Sequence, residues 1–160
     1  MNPKDTFAPL LRELRKRFGE GLRCVVLFGS RARGTARAGS DYDLLVVAEE
    51  LPGDPVKRQR ALTAALLPVV DQVPGPVAFV GKTPEEFASN LTPLLLDVCV
   101  EGICLWGAEF FESYRRRALE ALRDSGLRRE RLGGRTPMWV FTGRPPRDWE
   151  LTWDGFRERT

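Results

Sequence analysis

The sequence predicts an α/β (α+β) fold in which short strands alternate with helices, followed by a helical C-terminal part and an irregular tail. Two observations carry this expectation. Four short β-branched or aromatic runs, RCVVLF, DYDLLVV, PVAFV and ICLW, are separated by stretches of helical period with recognisable caps and stops. The 160 residues are 42% hydrophobic, which supplies apolar side chain for a single core.

Phe7, Leu10, Leu11, Leu14 and Phe18 recur at helical spacing and Gly19 and Gly21 stop the pattern, so an amphipathic helix is expected over about residues 5–18. Residues 23–28 read as a buried strand entering a Gly-Ser turn. The glycine- and arginine-rich stretch 29–40 leads to a second strand over about 41–48. Asp54 is placed to cap a helix that has Pro55 in its first turn, Leu62, Leu66 and Val69 inward, and its end before Pro74. A third strand is expected at 76–80. Thr83-Pro84-Glu85-Glu86 has the form of a capping box and opens a helix with Phe87 and Leu91 inward; Thr92-Pro93 restarts one, and residues 103–106 form a fourth strand. The last helix, about 108–125, aligns Phe111, Tyr114, Ala118 and Leu122, with Gly126 as its C-cap and Arg115, Arg116, Arg117 and Arg123 on the other face. Beyond it, glycine, proline, arginine and three tryptophans mix without a period. The expected division is a domain over 1–126 and an irregular basic tail over 127–160 that packs on it or awaits a partner.

Composition removes several classes of function. Charged residues make up 29% of the chain, and no apolar run approaches the roughly 20 residues of a membrane-spanning helix. The N-terminal segment is charged and periodic, unlike a signal peptide, so a cytoplasmic protein without membrane association is expected. Cys24, Cys99 and Cys104 form no close pair and read as buried free thiols. The absence of histidine removes Ser-His-Asp and Cys-His systems and histidine-ligated metals. Catalysis must then use carboxylates, hydroxyls, basic groups or an oxygen-ligated metal. The net charge of +3, mostly from arginine, suits a phosphate-bearing partner.

The informative stretch is residues 27–47, LFGSRARGTARAGSDYDLLVV. Gly29-Ser30 follows a buried strand, where free backbone N–H groups and a hydroxyl can meet phosphate; alone, the pair better fits an ordinary strand-to-helix turn capped by Ser30. Asp41 and Asp43, two residues apart on a strand, put both carboxylates on one face with Tyr42 on the other. Mg²⁺ with a nucleoside triphosphate would compensate that charge; solvated aspartates at a strand edge are the plain alternative. Arg31, Arg33 and Arg37 lie between these features and can neutralise triphosphate charge or simply form a solvated loop.

Together, Gly29-Ser30-Arg31-Ala32-Arg33-Gly34 and Ser40-Asp41-Tyr42-Asp43-Leu44 resemble the signature of the DNA polymerase β-like nucleotidyltransferase superfamily, most of all its small prokaryotic minimal nucleotidyltransferases. Gly-Ser, about ten residues, then Asp-x-Asp match position for position. TPEEF and the later PLLLDVCVEGICLW are similar to the segments after the core in these proteins, so the resemblance covers about residues 5–125. It implies a mixed sheet flanked by helices and transfer of a nucleoside monophosphate from a Mg-bound NTP, with ATP the expected donor, to a hydroxyl or phosphate acceptor with release of pyrophosphate. Gly29 and Ser30, with Arg31, Arg33 and Arg37 beside them, would hold the donor's phosphates. Asp41 and Asp43 would be the catalytic carboxylates and bind the metal, two Mg²⁺ ions in the active complex.

The family's third carboxylate, expected on the strand at 77–80, is replaced by Ala78. Asp71 or Asp97 could substitute if the fold brings either near, although Asp97 reads as a cap or a solvated residue. This departure sustains an alternative: a catalytically impaired, nucleotide-binding or antitoxin-like module of the same fold, with a protein partner encoded nearby. A nucleic-acid surface built from Arg115–Arg117, Arg128, Arg129 and Arg131 with Trp139, Trp149 and Trp153 is a further, less favoured reading.

Overall fold

Prolines and polar caps set most of the element boundaries. The structure, a computed structural model, describes residues 2–131 and 137–159. Helix α1 (Pro3–Thr6) starts at Asn2, whose side chain accepts from the Lys4 N–H, and α2 (Ala8–Phe18) follows. The single helix expected over 5–18 is thus broken at Phe7, because Pro9 has no N–H and its ring would strike the carbonyl one turn back, so it sits in the first turn of a new helix. Strand β1 (Leu22–Phe28), the four-residue helix α3 (Ser30–Arg33) and strand β2 (Tyr42–Ala48) come next. Helix α4 (Pro55–Leu66) is capped by Asp54 as expected, with the Lys57 N–H donating to its carboxylate at 2.9 Å; it tightens into a 3₁₀ segment, Leu67–Gln72, where Pro68 interrupts the hydrogen-bond ladder.

After β3 (Val77–Lys82), the capping box forms in full: the Glu86 N–H donates to Thr83 Oγ1 at 3.2 Å and the Thr83 N–H donates to Glu86 Oε1 at 2.8 Å. Helices α5 (Pro84–Ser89) and α6 (Pro93–Glu101), strand β4 (Ile103–Trp106) and helix α7 (Ala108–Ser125) complete the first 126 residues. The tail is more ordered than its composition predicts. It forms two antiparallel hairpins, β5 (Leu127–Glu130) with β6 (Met138–Phe141) and β7 (Trp149–Thr152) with β8 (Gly155–Glu158), while residues 132–136 lie outside the described residues. Four-residue strands broken by glycine and proline leave too short an alternation to be read from sequence.

The four long-range strands form one mixed sheet in the order β3-β2-β1-β4, with β1 antiparallel to β2 and β4, and β2 parallel to β3. Alternation along the strands divides the core into two layers. Val25, Leu27, Leu44 and Val46 meet α2 and α4 through Leu10, Leu14, Leu62 and Leu66. Cys24, Val26, Phe28, Leu45 and Val47 meet Phe87, Leu95, Val98 and Phe111 on the other side. Each fully buried leucine or phenylalanine contributes about 1.5–3 kcal/mol of apolar transfer free energy. The second layer is closed by the tail: Trp153 stacks on Phe87 at 5.1 Å and its indole N–H donates to the Phe87 carbonyl at 3.1 Å. Cys24, Cys99 and Cys104 are free, and burial pushes the Cys99 thiol up to about 12, so it stays protonated at neutral pH. Among the described residues no helix is long and apolar enough to cross a membrane.

Candidate functional site

The site lies where β1 ends, α3 begins and β2 starts. Because Asp43 shares the parity of Leu45 and Val47, its carboxylate emerges on the second layer, and Asp41 follows the same parity. Tyr42 goes to the first layer, edge-on to Phe7 at 5.4 Å. Asp43 pairs across the sheet with Phe28 on one side and Ala78 on the other. Ala78 is therefore its neighbour on β3, with a methyl group where a third carboxylate would be expected.

Gly29 makes this arrangement possible. Its φ of 75° and ψ of −159° lie in a region used almost only by glycine, and a Cβ there would stand 2.2 Å from Asp43 Oδ2. The Asp43 carboxyl is held above the ordinary range first by burial, then by the charge of Asp41, with Glu101 adding to the effect and Arg33 opposing it. Two carboxylates crowded this way are short of positive charge, and their hard oxygens suit Mg²⁺. Among the described residues, no group of three or more carboxylate or cysteine side chains is gathered to hold a metal ion.

The loop residues separate by function. Ser30 is the first residue of α3 and does not cap it; Gly29 is the N-cap, and its carbonyl accepts from the Ala32 and Arg33 N–H groups at 3.0 Å. Arg31 donates through Nε and Nη2 to the Ser40 carbonyl at 3.2 and 3.0 Å and lies 4.5 Å over the Tyr42 ring. It braces the loop from the Tyr42 side of the sheet. Arg37 is exposed, and its backbone N–H donates to Ser40 Oγ at 2.9 Å. Arg33 turns toward the layer that carries Asp43, where its Nη1 donates to both oxygens of Glu101 at 2.9 and 3.1 Å.

Of the two candidate substitutes, Asp71 is exposed on the 3₁₀ segment that packs with the first layer, away from the Asp43 carboxylate. Asp97 is on the right layer but engaged: it accepts from Trp139 Nε1 at 2.9 Å and lies 3.2 Å from Arg129 Nη2. Burial, the largest influence, raises its carboxyl above the ordinary range despite those partners. Sequence reasoning missed Glu101, and it placed Arg129 in a nucleic-acid surface rather than beside Glu101. Glu101 stands one helical turn after Asp97 on α6, a spacing that puts both acids on one face and could have signalled it. Arg129 carries no such signal, because β5 comes near α6 only in the tertiary structure. Of the tryptophans of the suggested nucleic-acid surface, Trp153 is buried and Trp139 donates to Asp97, while Trp149 is exposed and packs edge-on against Phe141.

Three comparisons bear on this geometry. The family model described as "Nucleotidyltransferase domain" matches residues 9–100, more than half of the chain. A protein of Methanocaldococcus jannaschii, whose name proposes that it is a protein adenylyltransferase, is 44% identical over 57 residues, which cover 36% of this chain and 39% of that protein. A toxin–antitoxin crystal structure with AMP-PNP superposes with a TM-score of 0.52 at 25% identity, covering 76% of this chain and 87% of the other. A mutant of the MntA–HpeT toxin–antitoxin gives 0.51 at 22% identity, over 78% and 89% of the two chains, and shares the fold.

Proposed function

The chain belongs to the nucleotidyltransferase domain family, and from that premise we propose that it transfers a nucleoside monophosphate, AMP from ATP before others, to a hydroxyl or phosphate acceptor with release of pyrophosphate. The observation that carries this reading is the packing of Asp43 against Gly29: only a residue without a side chain lets a strand-borne carboxylate stand beside the turn where a donor's phosphates would arrive. Asp41 and Asp43 would hold Mg²⁺, which when bound neutralises phosphate charge and polarises the reacting phosphorus. The chain's own contribution is position. Ser30 and the backbone of the turn orient the terminal phosphates, Arg33 supplies positive charge on the carboxylate side, and Arg31 keeps the loop in the shape that presents both. The acceptor hydroxyl attacks the α-phosphorus, one P–O bond forms, the bond to pyrophosphate breaks, and the acceptor's proton passes to a base or to solvent.

ATP is favoured because similar proteins are named for adenylyl transfer or were solved with an ATP analogue. A protein partner is proposed on the likeness to toxin–antitoxin chains. In this reading residues 1–126 form the transferase domain and 127–160 a tail whose Trp153 closes the second layer. The impaired, antitoxin-like alternative rests on Ala78; that residue does stand beside Asp43, but the family match and the adenylyltransferase relative favour an active enzyme.

Calorimetric titration of each NTP with and without Mg²⁺, on the native chain and on Asp41→Asn/Asp43→Asn, tests the donor site. Mg²⁺-dependent binding of ATP that disappears in the double variant is expected. Equal binding by both proteins, or by neither, overturns the proposal. Transfer is then read with α-labelled ATP and the products of adjacent genes as acceptors.

A further inference from the structure

Glu101 is the last residue of α6, and its side chain is only 6% exposed although it is charged. It joins three parts of the chain. Oε1 accepts from the Gly29 N–H at 3.1 Å and from Arg33 Nη1 at 2.9 Å; Oε2 accepts from Arg33 Nη1 at 3.1 Å and from Arg129 Nη1 at 3.0 Å. Four accepted bonds fill the acceptor capacity of a carboxylate, so Glu101 as it stands has no lone pair to offer a metal. Glu101 lies between two guanidiniums that are 18% and 17% exposed, and Asp97 stands beside the second, so two carboxylates face two arginines. Among the described residues, Arg33 Nε and Arg129 Nε and Nη2 are buried without a hydrogen-bond acceptor, and Nη2, although 3.2 Å from Asp97 Oδ1, is not aligned to donate to it. A residue that served only to tie α6 to the sheet would not need its partners to be the backbone N–H of the Gly29 turn and an arginine whose charge acts on Asp43.

We propose that Glu101 is a positioning residue of the donor site: it fixes the Gly29–Ser30 turn and the Arg33 guanidinium beside Asp43, and Arg129 from the C-terminal hairpin holds Glu101 in that role. The inference rests on the nucleotidyl-transfer reading above. It gives the C-terminal hairpin a part in nucleotide binding, since Arg129 lies beyond the residues matched by the family model. It also distinguishes Glu101 from a relocated third metal-binding carboxylate. Loss of Glu101 frees Arg33 and loosens the turn, so the nucleotide is affected while the metal's own carboxylates stay in place.

The test uses the full chain and α,β-methylene-ATP, whose α–β bridge resists transfer, titrated with Mg²⁺ into the native protein and into Glu101→Ala, Glu101→Gln and Arg129→Met. Mn²⁺ binding without nucleotide is followed by water-proton relaxation, and the melting temperature of each variant is recorded. The loss of a charge-assisted contact predicts affinity for the analogue about tenfold or more weaker in Glu101→Ala. A smaller loss is expected in Glu101→Gln, whose amide oxygen still accepts from one donor, and in Arg129→Met, which leaves Gly29 and Arg33 bound. Mn²⁺ affinity should stay within about twofold throughout. Unchanged analogue affinity in folded Glu101→Ala or Glu101→Gln overturns the proposal in favour of a purely structural tie. A collapse of Mn²⁺ affinity in Glu101→Gln overturns it in favour of a metal ligand. If the native protein binds neither analogue nor metal, the donor-site reading itself fails, an outcome distinct from native binding that the variants leave intact. Should Glu101→Ala not fold, Glu101→Gln and Arg129→Met decide alone.

Discussion

Gly29→Ala is the sharpest single test of how the backbone makes room for the carboxylates. The substitution does two things at once. It forces an L-residue into φ 75°, ψ −159°, a conformation whose cost is about 1–3 kcal/mol, and it drives a methyl group to within 2.2 Å of Asp43 Oδ2, a separation that atoms cannot share. Either the turn or Asp43 must move. For a chain of this length each kcal/mol shifts the melting temperature by about 2–4 °C, so a strain of about 2 kcal/mol predicts a drop of about 4–8 °C. Gly34→Ala is the control: its φ of 78° is also left-handed, but nothing lies within 4 Å of its Cβ position. The assay is a thermal melt of both variants with calorimetry of ATP and Mg²⁺. The control should lose some stability and keep nucleotide binding, whereas Gly29→Ala should lose both. A Gly29→Ala protein that melts within about 1 °C of the native chain and binds nucleotide equally would refute the argument.

Further outcomes are expected from the same contacts. Asp43 has a folded-state pKa raised by burial and by Asp41, so its ionisation opposes folding and stability falls as pH rises through the carboxylate range; Asp43→Asn should melt above the native chain at pH 7, with the gap closing in acid and narrowing when Mg²⁺ is added. Ala78→Asp sets a third acid beside Asp43 and should lower the melting temperature without metal, with the loss largely recovered in Mg²⁺; a variant indifferent to Mg²⁺ would show that the carboxylates do not share an ion. Trp153→Ala removes a buried ring packed on Phe87 and edge-on to Tyr114 and should cost about 3–5 kcal/mol, read by denaturant unfolding; a loss below about 1 kcal/mol would mean the tail is not part of the core. Thr83→Ala should cost about 1 kcal/mol through the capping box alone.

Much of this protein is legible in its sequence because the signals are local. Asp54, Thr83 and Thr92 start helices where their side chains can reach an orphan N–H two or three residues on, and a four-residue window carries that information. The strand Tyr42–Ala48 comes from a continuous apolar, β-branched run, and the shared parity of Asp41 and Asp43 from the two-residue period of extended chain. Local signals mislead where they compete. Hydrophobic period argues for one N-terminal helix, and Pro9 overrides it by removing a donor; the tail's short strands lie below the length at which alternation becomes visible.

The sequence by itself determined the order of elements up to residue 126, the Gly-Ser turn, the pair of carboxylates on one face and the family they resemble, since each depends on residues within about a dozen positions of one another. Only the tertiary structure decided which charges meet. Arg31, Arg33 and Arg37 look alike in the sequence, yet one braces Ser40, one binds Glu101 and one is exposed. Glu101 reaches Gly29 across 72 positions of chain, and Arg129 joins it from a hairpin that composition alone left shapeless. A carboxylate's partners are set by which layer its element packs into, and that is fixed by the sheet order and by the burial of Phe87, Phe111 and Trp153, a cooperative choice that no short window of sequence contains.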